Sequence, residues 1–299
     1  MANSKLAVVL SKDRPGQSEH EILERKILGG LEGRHDLEVT VLPHLYDLAN
    51  DGPGMEFLRS VGGDLVVLTW LYPRSAYWVL DANGVKGRLG PTISLAEEEI
   101  DVPGNPGERA IWCLDLRNQK RPDPFLKEIN RIASLAVEPA TVAAGQINGR
   151  PNWIDEPTAP RWYPVIDFSR CGNCLECLNF CLFGVFGTDA DERPIVEQPD
   201  ACRSGCPACS RICPEGAIMF PQHGDPAIAG DPRISPKDLK LDLSQLFRDS
   251  DPLQIAEAER RRALEERERQ SRQTAEKPSE LPRKGSLDDL VDRIDDMDL

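Results

Sequence analysis

Eight of the nine cysteines in this chain of 299 residues fall between Cys171 and Cys213, in two runs. The first is Cys171-x2-Cys174-x2-Cys177-x3-Cys181 and the second is Cys202-x3-Cys206-x2-Cys209-x3-Cys213-Pro214; Cys113 stands apart. No charged-then-apolar leader precedes Leu6, so the chain reads as cytoplasmic, where reducing thiol pools keep disulfides open. Thiols clustered on this scale then point to metal or redox chemistry.

The spacing bears on the shape of what the sulfurs hold. A cubane four-iron cluster presents its irons at tetrahedral corners, and a tight loop with a thiolate every third residue can reach three of them, leaving the fourth to another segment. Four-cysteine zinc sites and a disulfide network are the alternatives. Zinc sites usually pair cysteines across longer loops, whereas three thiolates at two-residue intervals, twice over, crowd a single tetrahedral ion.

The stretch 161–226 resembles the two-cluster, bacterial-type 4Fe–4S ferredoxin domain. The first run has that family's spacing, and Cys213-Pro214-Glu215-Gly216-Ala217-Ile218 looks like its Cys-Pro-x-Gly-Ala-Ile turn into a strand, with Cys181-Leu182-Phe183-Gly184-Val185-Phe186 as the pseudo-symmetric counterpart. The resemblance implies a small α+β fold around two [4Fe–4S] clusters, with the last cysteine of each run crossing over. Cys171, Cys174 and Cys177 would pair with Cys213, and Cys202, Cys206 and Cys209 with Cys181. It also implies one-electron transfer and no substrate chemistry. Two departures stand out: Leu182 replaces the expected Pro, and Cys202-x3-Cys206 carries one residue more than the family spacing, which bears on the geometry of that site.

Ahead of this region, residues 1–137 alternate short apolar runs with longer mixed segments, as a parallel sheet with crossover helices does. Strands are expected at Leu6–Leu10, Leu37–Leu42, Leu65–Trp70 and Ala110–Leu116, with Pro91–Leu95 a fifth. Helices are expected at Ser18–Leu31, capped by Ser18, and at Met55–Val61, Ser75–Leu80 and Pro124–Val137. The fold class is therefore an α/β domain with an open, flavodoxin-like parallel sheet. Residues 138–160, rich in Pro and without a sustained period, read as a linker. Residues 227–299 read as a largely disordered charged tail, with Glu257–Gln270 a solvated helix or disorder and the segment behind Ser286 either a short docking helix or a tail that frays in water.

A flavodoxin-like sheet invites FMN, but the turn Ser11–Ser18 lacks the Ser/Thr/Gly-rich phosphate cradle; only the helix N-terminus near Ser18 speaks for it. Trp70-Leu71-Tyr72-Pro73-Arg74-Ser75-Ala76-Tyr77-Trp78 follows a central strand, where such sheets place ligands, although packing against the cysteine region accounts for the same residues. The histidines, His20, His35, His44 and His223, show no ligand spacing and are expected at the surface. Cys113 reads as a buried small hydrophobe. Trp153, Trp162 and Tyr163 are placed to shield the clusters or to fill a core.

Charge completes the reading. Fifty Asp and Glu against 36 Lys and Arg give a net charge of −14, which argues against nucleic acid as a partner. Leu65–Leu71 falls far short of the roughly 20 apolar residues that span a bilayer. With two four-thiolate clusters the holoprotein would stand at about −18, favouring a redox partner with a basic docking face. The expectation is an electron-transfer protein. Its rivals are an oxidoreductase whose α/β domain binds a flavin or substrate and uses the clusters as a relay, and a protein whose clusters hold the fold or sense oxidants.

Overall fold

The computed structural model describes residues 6–92, 108–135, 150–234, 254, 256–262 and 264–265. Four long strands, β1 (Leu6–Ser11), β2 (Leu37–Leu42), β3 (Leu65–Thr69) and β5 (Ala110–Asp115), and two short ones, β4 (Arg88–Leu89) and β6 (Asn152–Trp153), form a sheet in the order β4-β5-β3-β1-β2-β6. Every pairing is parallel. The four long strands are buried from end to end, as helices covering both faces of a parallel sheet require, and they are largely apolar, with Glu38 and Thr40 the polar positions inside β2.

On one face lie α1 (Ser18–Leu31) and α4 (Asp123–Leu135), whose Leu23, Ile27, Phe125 and Ile129 join the sheet's core. Gly30 lets these helices approach, since a Cβ there would come within 2.5 Å of Leu126 Cδ1. The other face carries α2 (Pro53–Ser60) and α3 (Pro73–Ala82), with Met55, Leu58, Ala76 and Val79 in a second core. Both of these helices start on a proline, which needs no N–H there.

Three local expectations need correction. Ser18 is not the cap of α1 but its first helical residue; Gln17 caps it without a side-chain hydrogen bond. The edge strand is Arg88–Leu89, before the expected Pro91–Leu95; residues 91 and 92 are not in a strand and 93–95 lie outside the described residues. The end of the stretch read as a linker is tied down. Asn152–Trp153 pairs with β2, and the Glu156 carboxylate accepts from Gly54 N at 2.8 Å, at the start of α2.

The cysteine region adds β7 (Val165–Ile166), α5 (Glu176–Phe180), β8 (Phe186–Thr188), β9 (Pro194–Val196), α6 (Ala208–Ile212), β10 (Ile218–Met219) and α7 (Pro226–Ala229). β7 pairs antiparallel with β10, and β8 with β9. Tyr163, Val165 and Met219 belong to the core beneath α2 and α3, so this region packs on that face of the sheet. Ile166, Phe186, Ile218 and Phe220 form a core of their own around the cysteines. Residues 256–262 are helical, with 257–262 exposed or half-buried, in line with the solvated-helix alternative for Glu257–Gln270; Ala256, just ahead of that stretch, is fully buried. The expected terminal helix behind Ser286 lies outside the described residues. Among those described, no helix is long and apolar enough to cross a membrane.

Candidate metal centre

Backbone reversals, not regular structure, aim the thiols. In the first loop, Asn173 (φ 56°) and Leu175 (φ 60°) both take the left-handed conformation, which costs a non-glycine residue about 1–3 kcal/mol and persists only where its surroundings enforce it. Cys171, Cys174, Cys177 and Cys213 line one cavity. In the second loop, Gly205 (φ 78°) turns the chain and Cys206 N donates to Arg203 O at 3.0 Å. The additional residue of Cys202-x3-Cys206 is taken up in that turn. Cys181, Cys202, Cys206 and Cys209 line a second cavity.

Two short helices explain the exchange of cysteines between runs. Cys177 lies inside α5 and Cys181 caps its end, while Cys209 lies inside α6 and Cys213 caps its end. Four residues of helix advance about 6 Å, enough to carry each chain from one cavity to the other. Gly184 (φ 66°) and Gly216 (φ 56°), each three residues after the capping cysteine, turn both chains alike.

The electrostatics of the cavities call for a cation. Burial, reinforced by neighbouring sulfurs, pushes the Cys177 and Cys202 thiols up to about 12 and Cys209 far above its ordinary value. Backbone N–H groups of Leu178 and Ala208 pull Cys177 and Cys206 the other way, and Ala217 N–H donates to Cys213 Sγ at 3.3 Å. Four thiolates can share such a cavity only around positive charge, and an all-sulfur donor set suits zinc, Cu(I) or iron–sulfur groups. Among the described residues, no three His, Cys, Asp or Glu side chains close on a point suited to one bare ion; the sulfurs surround a space. The residues fit an iron–sulfur cluster.

No family model matches the chain. Over 66 residues it is 42% identical to an uncharacterized ferredoxin of Methanocaldococcus jannaschii, a match covering 22% of this chain and 44% of that protein. Over 56 residues it is 39% identical to another uncharacterized ferredoxin of the same organism, covering 18% of this chain and 87% of the relative. The chain belongs to the ferredoxin family. It is an iron–sulfur redox protein in which the ferredoxin segment is only a part. It is also 29% identical over 136 residues to the indolepyruvate oxidoreductase subunit IorA of Methanothermobacter marburgensis, which covers 44% of this chain and 19% of that subunit. The chain thus spans less than half of the first ferredoxin and about a fifth of the subunit.

Around the ferredoxin cavities the aromatic residues divide. Trp162 stacks on Phe220 and donates from Nε1 to Cys206 O at 3.2 Å, at the second cavity's loop. Tyr163 stacks on Tyr46 in the α/β core, the ring centroids 4.2 Å apart, and Cys202 packs against that same core. Trp153 shields no cysteine: it is half exposed at the sheet edge, beneath Lys12. Leu182, in the place of the family's proline, is half exposed as well. Cys113 is buried in β5, within the core beneath α2 and α3, and lines neither cysteine cavity.

His35 is exposed, as expected of all four histidines, but His44 is not. It is buried, its Nε2 lies 3.0 Å from Gln222 Nε2, and burial pulls its pKa down to about 4. His20 stacks on Trp70 at 3.7 Å and sets Nδ1 2.5 Å from Asp13. Glu24 Oε1 accepts from Trp70 Nε1 at 2.8 Å and from Asp13 N at 2.7 Å. Side chains therefore fill the crevice at the carboxyl ends of β1 and β3.

The aromatic stretch after β3 meets the ferredoxin segment. Trp78 packs edge-on against Phe168, and Ser75 Oγ donates to Ala229 O. Arg74 pairs with Asp167 at 2.5 Å and donates from Nη2 to Gly216 O at 2.9 Å, in the turn that follows Cys213. Sequence reasoning singled out the stretch but not Arg74's partner, because nothing local ties Arg74 to Asp167. A lone arginine inside an apolar, aromatic helix was the available signal, since a buried charge must be paired.

Proposed function

We propose that this ferredoxin carries two [4Fe–4S] clusters, one held by Cys171, Cys174, Cys177 and Cys213 and the other by Cys202, Cys206, Cys209 and Cys181, and passes single electrons to or from a redox partner. One observation carries the reading: each four-cysteine cavity is lined by three sulfurs of one run and the last sulfur of the other. When bound, such clusters supply one-electron chemistry at a potential set by charge, hydrogen bonds to sulfur and solvent exposure.

The chain's own residues hold and tune the sites. Ala217 N–H, aimed at Cys213 Sγ, stabilises thiolate charge. Ile166 and Ile218 at the first cavity, and Val185 and Phe186 at the second, keep water out. Residues 1–137 and 161–226 act as two units in this reading, the α/β unit serving as a mount. Similarity to one subunit of an oxidoreductase supports a place beside a catalytic partner, and the net charge of −14 supports a basic docking face on that partner.

The oxidoreductase reading, in which the α/β unit binds a flavin, has less support because Glu24, Trp70, His20 and Asp13 fill the crevice it would use. Anaerobic purification with iron, sulfide and flavin analysis tests both readings. About eight irons and eight sulfides without flavin is the expected result for two four-iron clusters. Stoichiometric flavin would favour the oxidoreductase, and zinc without sulfide would overturn both.

A further inference from the structure

The helix over residues 256–262 is tied to both short helices that carry the cysteines. Glu259 Oε2 lies 2.9 Å from Arg211 Nε, and Arg211 sits in α6 between Cys209 and Cys213. The Arg260 guanidinium lies over the ring of Phe180, 5.1 Å from its centroid, and Phe180 sits in α5 between Cys177 and Cys181. Ala256, on the same helix, is fully buried. Arg260 is also part of the wall of the cavity lined by Cys181, Cys202, Cys206 and Cys209.

The two cavities consequently differ in charge. Among the described residues, Glu176 and Glu215 line the first, whereas Arg260 is the charged residue lining the second. Glu259, next in the chain, is matched by Arg211; an aromatic face attracts a cation without neutralising it. A cation beside a site that gains an electron favours the reduced form, because the attraction grows as negative charge builds up.

We propose that the helix 256–262 is a resident wall of the second cluster site, and that Arg260 is a positioning charge that raises the reduction potential of the cluster held there above the value the ferredoxin segment alone would give. The assignment rests on the two-cluster reading above. It makes the second site the better electron acceptor of the pair, through a residue some fifty positions beyond its nearest cysteine in the chain, and it leaves the first site, whose Cys174 is exposed, as the face open to a partner.

The test is an EPR-monitored redox titration of full-length, anaerobically purified protein as wild type, R260Q and R260K, with iron and sulfide determined on each sample. R260Q is expected to keep its iron and to lower one of the two midpoints, changing the reduced-to-oxidised ratio of that cluster at least threefold at a fixed solution potential. R260K should recover most of the shift, and the other midpoint should stay where it was. Full iron with neither midpoint moved, or with both moved equally, overturns the proposal. Should R260Q fail to load both sites, amide hydrogen exchange over residues 256–262 of the wild-type holoprotein decides instead: protection supports the docked helix, and exchange at coil rates overturns it. Failure of the two-cluster reading shows separately, as wild-type protein without iron and sulfide.

Discussion

Arg74 Nε lies 2.5 Å from Asp167 Oδ2, with the two side chains only 7% and 2% exposed. The pair joins α3 of the α/β unit to the residue whose carbonyl accepts from Cys171 N at 3.0 Å, where the first cysteine loop begins. Burial pulls the Arg74 pKa down, and Asp167 counters it. Removing Arg74 leaves the buried Asp167 with Ser169, which donates to it, and with Arg170 at 3.7 Å, so the cost falls at or below the about 3–5 kcal/mol of a fully broken buried pair. Arg74→Met is therefore expected to lower the unfolding free energy by that order in a denaturant titration. The double variant Arg74→Met/Asp167→Leu should recover part of the loss, and a strictly additive double variant would show that the pair does not couple.

The proposed crossed ligation gives Cys213→Ala a distinctive outcome. The variant should lose the cluster held by Cys171, Cys174 and Cys177, and the site of Cys202, Cys206 and Cys209 should keep its own. EPR of the reduced protein, compared with Cys171→Ala and Cys202→Ala, reads this directly: Cys213→Ala should match Cys171→Ala. A match to Cys202→Ala would mean that each run holds its own cluster.

His44 makes stability depend on pH. Burial holds its folded pKa near 4, below the ordinary 6.5. Between these values the unfolded chain binds a proton that the folded protein does not, so stability falls as pH drops through 6.5 and levels off below about 4. The shift corresponds to roughly 3 kcal/mol at full effect. Denaturation midpoints of wild type and His44→Gln between pH 7 and 4 should diverge, with the wild type losing more stability; parallel curves would remove His44 as the cause.

Tyr46 and Tyr163 fasten the start of the cysteine segment to the core beneath α2 and α3 by a second route. The Tyr46 hydroxyl donates to Tyr163 O and accepts from Tyr163 N at 2.7 Å, all of it buried. Tyr46→Phe strands a backbone donor and an acceptor away from water, at about 1–3 kcal/mol for a buried unsatisfied group. Thermal melting should fall accordingly while iron content holds. An unchanged melting temperature would mean that water reaches these groups.

Association with a redox partner should weaken as salt is added, since a chain at −14 and a basic face attract over a distance that salt shortens. Dissociation constants measured at rising ionic strength report this, and a salt-independent value would remove the basic face from the proposal.

The sequence by itself determined the local pieces: Leu37–Leu42 as a strand, Ser18–Leu31 as a helix, and the two cysteine runs with their glycine turns. Apolar periodicity, burial on both faces and left-handed turns are properties of neighbouring residues, and they leave their mark within a few positions of chain. It misplaced the two-residue edge strand β4 and read β6 as linker, both being too short to carry a period, and put His44 at the surface although it is buried. Only the tertiary structure brought Arg74 to Asp167, 93 residues away, set Tyr163 on Tyr46, and laid Arg260 against the second cysteine cavity. Such partners are chosen by which surfaces meet when the ferredoxin segment packs on the α2 and α3 face. A buried arginine in the sequence declares that it needs a carboxylate, and the fold alone decides which one reaches it.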